Sequence, residues 1–166
     1  MLPAAVSEPK NTEQFHKPNP QGDKMKGGCL CEAVTFEISV TPAFYYRCHC
    51  SLCRKQSGTG YNLATLVNEA DFSWLSGASR IASWRKPTGY RNDFCSSCGS
   101  TVPNLLRGKP YIWIPVGLLN DSAEMQCIGD YCIDDAMPWD TTRSDTNHAG
   151  PVGSLNALLT SLMLVD

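Results

Sequence analysis

Seven of the nine cysteines fall into three short motifs, Cys29-x-Cys31, Cys48-x-Cys50-x-x-Cys53 and Cys95-x-x-Cys98. A C-x-x-C turn aims two sulfurs at one point, and two such pairs close a tetrahedral zinc site with metal–sulfur bonds of about 2.3 Å. Gly99 follows the last pair, where a residue free to take positive φ turns backbone amides toward the sulfurs. The C-x-C pair works by a different route. In an extended strand residues i and i+2 share a face, so Cys29 and Cys31 can also converge on one ion, with Gly27 and Gly28 permitting a close approach. Seven thiols divide as four plus three. Four thiolates saturate a tetrahedral ion and make a closed, structural site, whereas three leave one position for water or a substrate sulfur. Cys48, Cys50 and Cys53, on the tight loop CHCSLCRKQSG, form the only local trio and are read as the open site. Cys29, Cys31, Cys95 and Cys98 then form the closed one.

Spacing also permits other partitions. Cys50 and Cys53 can pair with Cys95 and Cys98, both sites can be structural with His49 or water completing the second, and the pairs can be disulfides. A thioredoxin-like redox role is disfavoured because no βαβ pattern surrounds either C-x-x-C. The odd cysteine count excludes complete internal disulfide pairing. Cys127 and Cys132 lack ligand spacing and read as buried small hydrophobes. His16 and His148 read as solvent-facing, and Trp74, Trp84, Trp113 and Trp139 as core or pocket walls. His49 stands between two candidate ligands, but an extended backbone points its side chain away from them, which makes it a supporting residue.

These motifs need rigid elements to hold them. Residues 1–26, with Pro3, Pro9, Pro18 and Pro20 and no apolar period, read as a flexible tail. Residues 27–142 read as the zinc domain, and 143–166 as a C-terminal tail or a short docking helix, since Leu155, Leu158, Leu159 and Leu162 can share one helix face. Ala33 to Val40 alternates with a period of two. Further strand-like runs are Tyr61 to Val67, Arg80 to Trp84, Tyr111 to Val116 and Cys127 to Ile133. Short strands with 13 glycines and 11 prolines between them predict a mainly β fold in a single domain of 166 residues. A net charge of −2 with 18% charged residues lacks the basic footprint of a nucleic-acid binder. The longest apolar stretch, near Leu155, is too short for a bilayer, so no membrane partner is expected. With no secretory leader pattern at the start of the chain, the expected setting is cytoplasmic, where thiols stay reduced.

The sequence GGCLCEAVTFEI, followed by CHCSLCRKQSG and FCSSCGS, resembles the glutathione-dependent formaldehyde-activating enzyme family, which includes centromere protein V. The likeness runs from about Gly27 to Trp139. It implies a β-rich Mss4-like fold with two zinc ions per chain. Cys29, Cys31, Cys95 and Cys98 would hold the structural ion, and Cys48, Cys50 and Cys53 the catalytic one. It further implies carbon–sulfur lyase-type chemistry, the addition of a thiol such as glutathione to formaldehyde; by proximity to the trio, water, Ser51 or Arg54 are candidate donors to the oxyanion. A non-catalytic zinc module that binds a protein is the other function known for Mss4-like folds. Two positions depart from the family's pattern. Glu32 stands where a glycine often follows the second cysteine, and Asp130 where a histidine often precedes the Pro-Trp motif.

Overall fold

Alternation between Phe36 and Ile38, buried, and Thr35 and Glu37, half-buried, makes β2 (Thr35–Ile38) the centre of a small sheet. It pairs antiparallel with β1 (Met25–Gly28) and β5 (Phe72–Ser76), in the order β1-β2-β5. Gly27 has to be glycine here: a Cβ would lie 2.3 Å from the Phe36 ring and 2.6 Å from the Leu118 carbonyl oxygen. The computed structural model describes residues 24–120, 124–141 and 144–165. The tail expected over residues 1–26 therefore lies, up to residue 23, outside the described residues.

A second sheet of five strands has the order β10-β3-β4-β9-β8. Its members are β3 (Phe44–Cys48), β4 (Asn62–Asn68), β8 (Asn104–Leu105), β9 (Tyr111–Pro115) and β10 (Gln126–Tyr131). Neighbours run antiparallel except β10 and β3, which are parallel and set Tyr131 beside Cys48. The apolar run of β4 is buried on both faces. Val67 packs with Met25, Phe36, Ile38, Ile112 and Ile114 between the two sheets, while Leu66 faces Phe44, Leu158, Leu159 and Leu162 on the other side.

Those three leucines belong to or adjoin α2 (Leu155–Ser161), so the C-terminal segment is a helix docked on the sheet. Ser154 caps it, its Oγ accepting from the Ala157 backbone N–H at 3.1 Å. Each buried leucine contributes about 1.5–3 kcal/mol, enough to hold a seven-residue helix too short to persist alone. A separate hairpin, β6 (Ile81–Arg85) with β7 (Arg91–Cys95), turns at Gly89, whose φ is 98°. The remaining helix, α1 (Ser51–Ser57), stops at Gly58 in the left-handed region with φ 71°. The segment after Cys50, expected as loop, is thus helical: Gly58 donates its N–H to the Arg54 carbonyl at 2.8 Å and closes the last turn. The described residues form a mostly β fold with two short α-helices, and none of these helices is long and apolar enough to cross a membrane.

Candidate metal centres

The Sγ atoms of Cys29, Cys31, Cys95 and Cys98 lie within 4.8 Å of one another. Four sulfurs bound at about 2.3 Å to one tetrahedral ion sit about 3.8 Å apart. Cys29 to Cys31 measures 3.7 Å and Cys31 to Cys95 3.9 Å, so this donor set fits such an ion. The first pair reaches this geometry on a turn after β1, not in the extended strand expected. The Cys29 N–H donates to the Val34 carbonyl and the Glu32 N–H to the Cys29 carbonyl, at 3.0 and 2.9 Å. Glu32 takes φ 58°, the left-handed conformation that a glycine would take without strain. The second pair follows β7, with Gly99 at φ 77° and its N–H donating to the Cys95 carbonyl at 2.8 Å. The Ser100 hydroxyl, 3.3 Å from Cys98 Sγ, and the Ser100 backbone hold the Cys98 thiol down at about 5. The Val34 N–H donates to Cys29 Sγ at 3.3 Å. Val34 and Val102 pack against the cluster and join it to the core.

The Sγ atoms of Cys48, Cys50 and Cys53 form the second group within 4.8 Å, all three half-buried. Cys48 ends β3, Cys50 precedes α1, and Cys53 lies on its first turn, so a strand end and a helix start aim three sulfurs at one point. Hydrogen bonds from Cys48 and Cys53 push the Cys50 thiol down to about 2, and the same bonds push Cys48 up to about 12 and Cys53 higher still. Protons are shared within the three-sulfur cluster, with the charged form favoured at Cys50. A cation that draws all three sulfurs must displace those protons. Three thiolates suit a soft or borderline metal ion and leave one tetrahedral position open.

Behind this cluster lies an ionic network centred on the buried His49 and Asp130. His49 points away from its neighbouring thiols. Its Nδ1 lies 2.7 Å from Asp140 Oδ2 and its Nε2 2.7 Å from Asp130 Oδ1. Asp130 also takes Arg47 Nη2 at 3.1 Å and the Ser144 hydroxyl at 2.6 Å. Burial raises the Asp130 pKa, but the Ser144 and His49 hydrogen bonds and the Arg47 charge outweigh it and hold the carboxyl below its ordinary value. Asp130 thus has a structural partner set of its own, an explanation for its place in the sequence that one chain without its fold could not supply. His148 is exposed but stacks on Tyr131, ring centroids 4.5 Å apart. His16 lies outside the described residues. Cys132 is buried, as expected, yet its Sγ lies 4.0 Å from that of Cys48, and Cys127 is half-buried with its thiol 3.6 Å from the Gly129 carbonyl.

A cleft of about 700 Å³ opens beside Cys53. Arg85, Lys86, Arg91 and Arg107 line it, with no acidic residue among those lining it, over a floor that includes Tyr46 and Trp113. Gly89 is in contact with Arg107; a Cβ there would lie 1.8 Å from the guanidinium. Tyr90, on the same wall, has its pKa raised by burial and by the charge of the cysteine cluster, so its hydroxyl stays protonated and donates to Gln56 Oε1. Ser51 and Arg54 do not line this cleft. Trp74 and Trp113 serve as core and wall and Trp139, though 63% exposed, walls a smaller pocket with Tyr61 and Asp140, as expected, whereas Trp84 is 53% exposed on its hairpin, against that expectation. Nothing in the spacing of Trp84 on its hairpin distinguishes an exposed face from a buried one.

A β scaffold that gathers four cysteines at one point and three at another, the latter beside a basic cleft, defines a thiol-rich protein with two sites suited to metal ions. A sequence model of the glutathione-dependent formaldehyde-activating enzyme family matches residues 24–133, and the chain belongs to that family. A Halomonas elongata protein described as a putative glutathione-dependent formaldehyde-activating enzyme is 34% identical over 85 residues, 47% of this chain. The chain spans about half, 54%, of that relative's length. A crystal structure of a Rhodobacter sphaeroides protein superposes with a TM-score of 0.51 at 27% identity, covering 60% of this chain and 91% of that one.

Proposed function

We propose that the protein is a zinc-dependent carbon–sulfur lyase-type enzyme that adds an anionic thiol of the glutathione class to formaldehyde, giving the S-hydroxymethyl thioether. One observation carries this reading: the three-thiol cluster borders a cleft whose charged lining is entirely basic. Glutathione bears two carboxylates and one thiol, which suits a cationic cleft ending at Cys53. Family membership and the relative's description support the same substrate pair.

Cys48, Cys50 and Cys53 would hold a zinc ion; when bound, it supplies an open position at which a substrate thiol loses its proton near neutral pH. Cys29, Cys31, Cys95 and Cys98 would hold a second, structural zinc. Arg85, Lys86 and Arg107 orient the carboxylates of the thiol, so that its sulfur meets the aldehyde carbon inside the cleft. As the carbon–sulfur bond forms, the carbonyl oxygen gains negative charge. The protonated hydroxyl of Tyr90 lines the cleft and would hydrogen-bond that oxygen by exchanging its donation to Gln56 Oε1 for one to the substrate. The network of Arg47, His49, Asp130 and Asp140 fixes the backbone between Cys48 and Cys50, so the trio stays convergent whether or not substrate is present.

The decisive experiment uses purified, zinc-loaded protein with glutathione and formaldehyde, following free aldehyde. Consumption above the uncatalysed rate, abolished in Cys48→Ser with circular dichroism unchanged, is expected. No acceleration with two zinc ions per chain would overturn the reading and favour a zinc module that binds another protein.

A further inference from the structure

The Cys132 thiol has no part in either cluster, yet the fold brings it to the open one. Tyr131 and Cys48 are partners across the parallel β10–β3 pair, and the His49 N–H donates to the Tyr131 carbonyl at 2.9 Å. With strands about 4.8 Å apart and a rise of about 3.3 Å per residue, the diagonal neighbour Cys132 lies about 6 Å from Cys48 by Cα. This falls inside the window of about 4.4–6.8 Å that a disulfide spans. Cα proximity alone would not suffice. Were β10 to continue through residue 132, that side chain would point to the face opposite Cys48. Cys132 instead takes φ 57°, a left-handed conformation unusual for a residue with a side chain. This breaks the alternation and brings its Sγ to 4.0 Å from Cys48 Sγ. Backbone hydrogen bonds hold the turn on both sides, from the Cys132 N–H to the Gly150 carbonyl at 2.8 Å and from the Asp135 N–H to the Cys132 carbonyl at 3.1 Å.

We propose that Cys48 and Cys132 form an oxidisable dithiol, which a peroxide converts to a disulfide. Cys48 is half-buried in the cluster whose Cys53 lines the cleft, whereas Cys132 is buried at 8% exposure. The reagent therefore reaches Cys48 first and Cys132 resolves the product. In the first step the Cys48 sulfur takes one oxygen of hydrogen peroxide, the O–O bond breaks and one water leaves, giving a sulfenic acid. In the second, the Cys132 sulfur attacks that sulfur, the S–O bond breaks and a second water leaves. Two thiols and one peroxide become one disulfide and two waters, both sulfurs oxidised and both peroxide oxygens reduced. The bond takes Cys48 out of the three-cysteine cluster, which then has two thiols for its ion. This consequence rests on the zinc reading above; the bond itself does not.

The test treats the zinc-loaded full chain with hydrogen peroxide, blocks remaining thiols with N-ethylmaleimide and maps peptides by fragmentation mass spectrometry, while released zinc is followed with a chromophoric chelator. A Cys48–Cys132 link is expected, lighter by two hydrogens than the separate peptides, with one zinc of two released in step with it and both changes reversed by dithiothreitol. Cys132→Ser and Cys132→Ala should each keep their zinc several-fold longer under the same peroxide. A dominant Cys50–Cys53 link, or a Cys48 sulfinic acid without a link, overturns the proposal, as does zinc loss from both variants at the wild-type rate. If the untreated chain holds no zinc at the middle cluster, the function proposed above fails, while the peptide map still decides the fate of the dithiol.

Discussion

Glu32 and Asp130, the positions marked as departures by the resemblance read from the sequence, each receive a separate physical account from the structure. Glu32 occupies a left-handed turn with φ 58° between Cys31 and Ala33. Glu32→Gly should stabilise the zinc-loaded protein by about 1 kcal/mol through relief of that conformation, read as a rise in thermal midpoint. Asp130 belongs to a buried network, and Asp130→Asn leaves the Arg47 guanidinium and the His49 ring without their shared carboxylate. Breaking a buried ion pair in this way costs about 3–5 kcal/mol, measurable by urea denaturation. The sign with pH follows from the lowered Asp130 pKa. Its contribution is complete above the ordinary carboxylate value of about 3.9 and disappears as pH falls through the lower folded-state value. The acid limb of the stability curve should therefore be shallower in Asp130→Asn than in wild type. Sequence could mark both positions as departures, but not what compensates them, because Arg47, His49, Ser144 and Asp140 are scattered along the chain and only the sheet gathers them.

At the level of elements, the cysteine motifs were readable because ligand geometry is local: C-x-x-C brings two sulfurs together in almost any turn. Their settings were less so. The trio expected on a loop is carried by the end of β3 and the first turn of α1, a seven-residue helix with no buried residue of its own and hence no apolar period to reveal it. Its counterpart α2 was legible, because its leucines recur at helical spacing and do bury. Leu158→Ala should cost about 2–5 kcal/mol by chemical denaturation yet leave two zinc ions per chain, since α2 packs against Phe44 and Leu66 and contributes no cysteine. β5 and β7 escaped notice for a third reason. β5 takes its place from β2, far earlier in the chain, and β7, RNDFC, has no apolar alternation and is fixed by its hairpin partner β6.

Taken whole, the molecule has little net charge, −2, and yet concentrates Arg85, Lys86, Arg91 and Arg107 around one cleft. Composition gave the low net charge and could not show this local cluster, which arises where the β6–β7 hairpin meets the loop after β8. Arg107→Glu should raise KM for glutathione roughly tenfold, equivalent to about 1.4 kcal/mol, with a smaller effect on kcat. The KM of the wild type should itself climb with ionic strength as the charges are screened. Finally, the parallel pairing of β10 with β3 has a temporal meaning. The end of β3 and the start of α1, with their three thiols, emerge from the ribosome first, whereas the strand that flanks them and the carboxylates that clamp His49 lie 81 to 91 residues later. The chain that backs Cys48, Cys50 and Cys53 is therefore made only after the three thiols themselves. The backing of the trio through His49 is complete only once translation has passed Asp140.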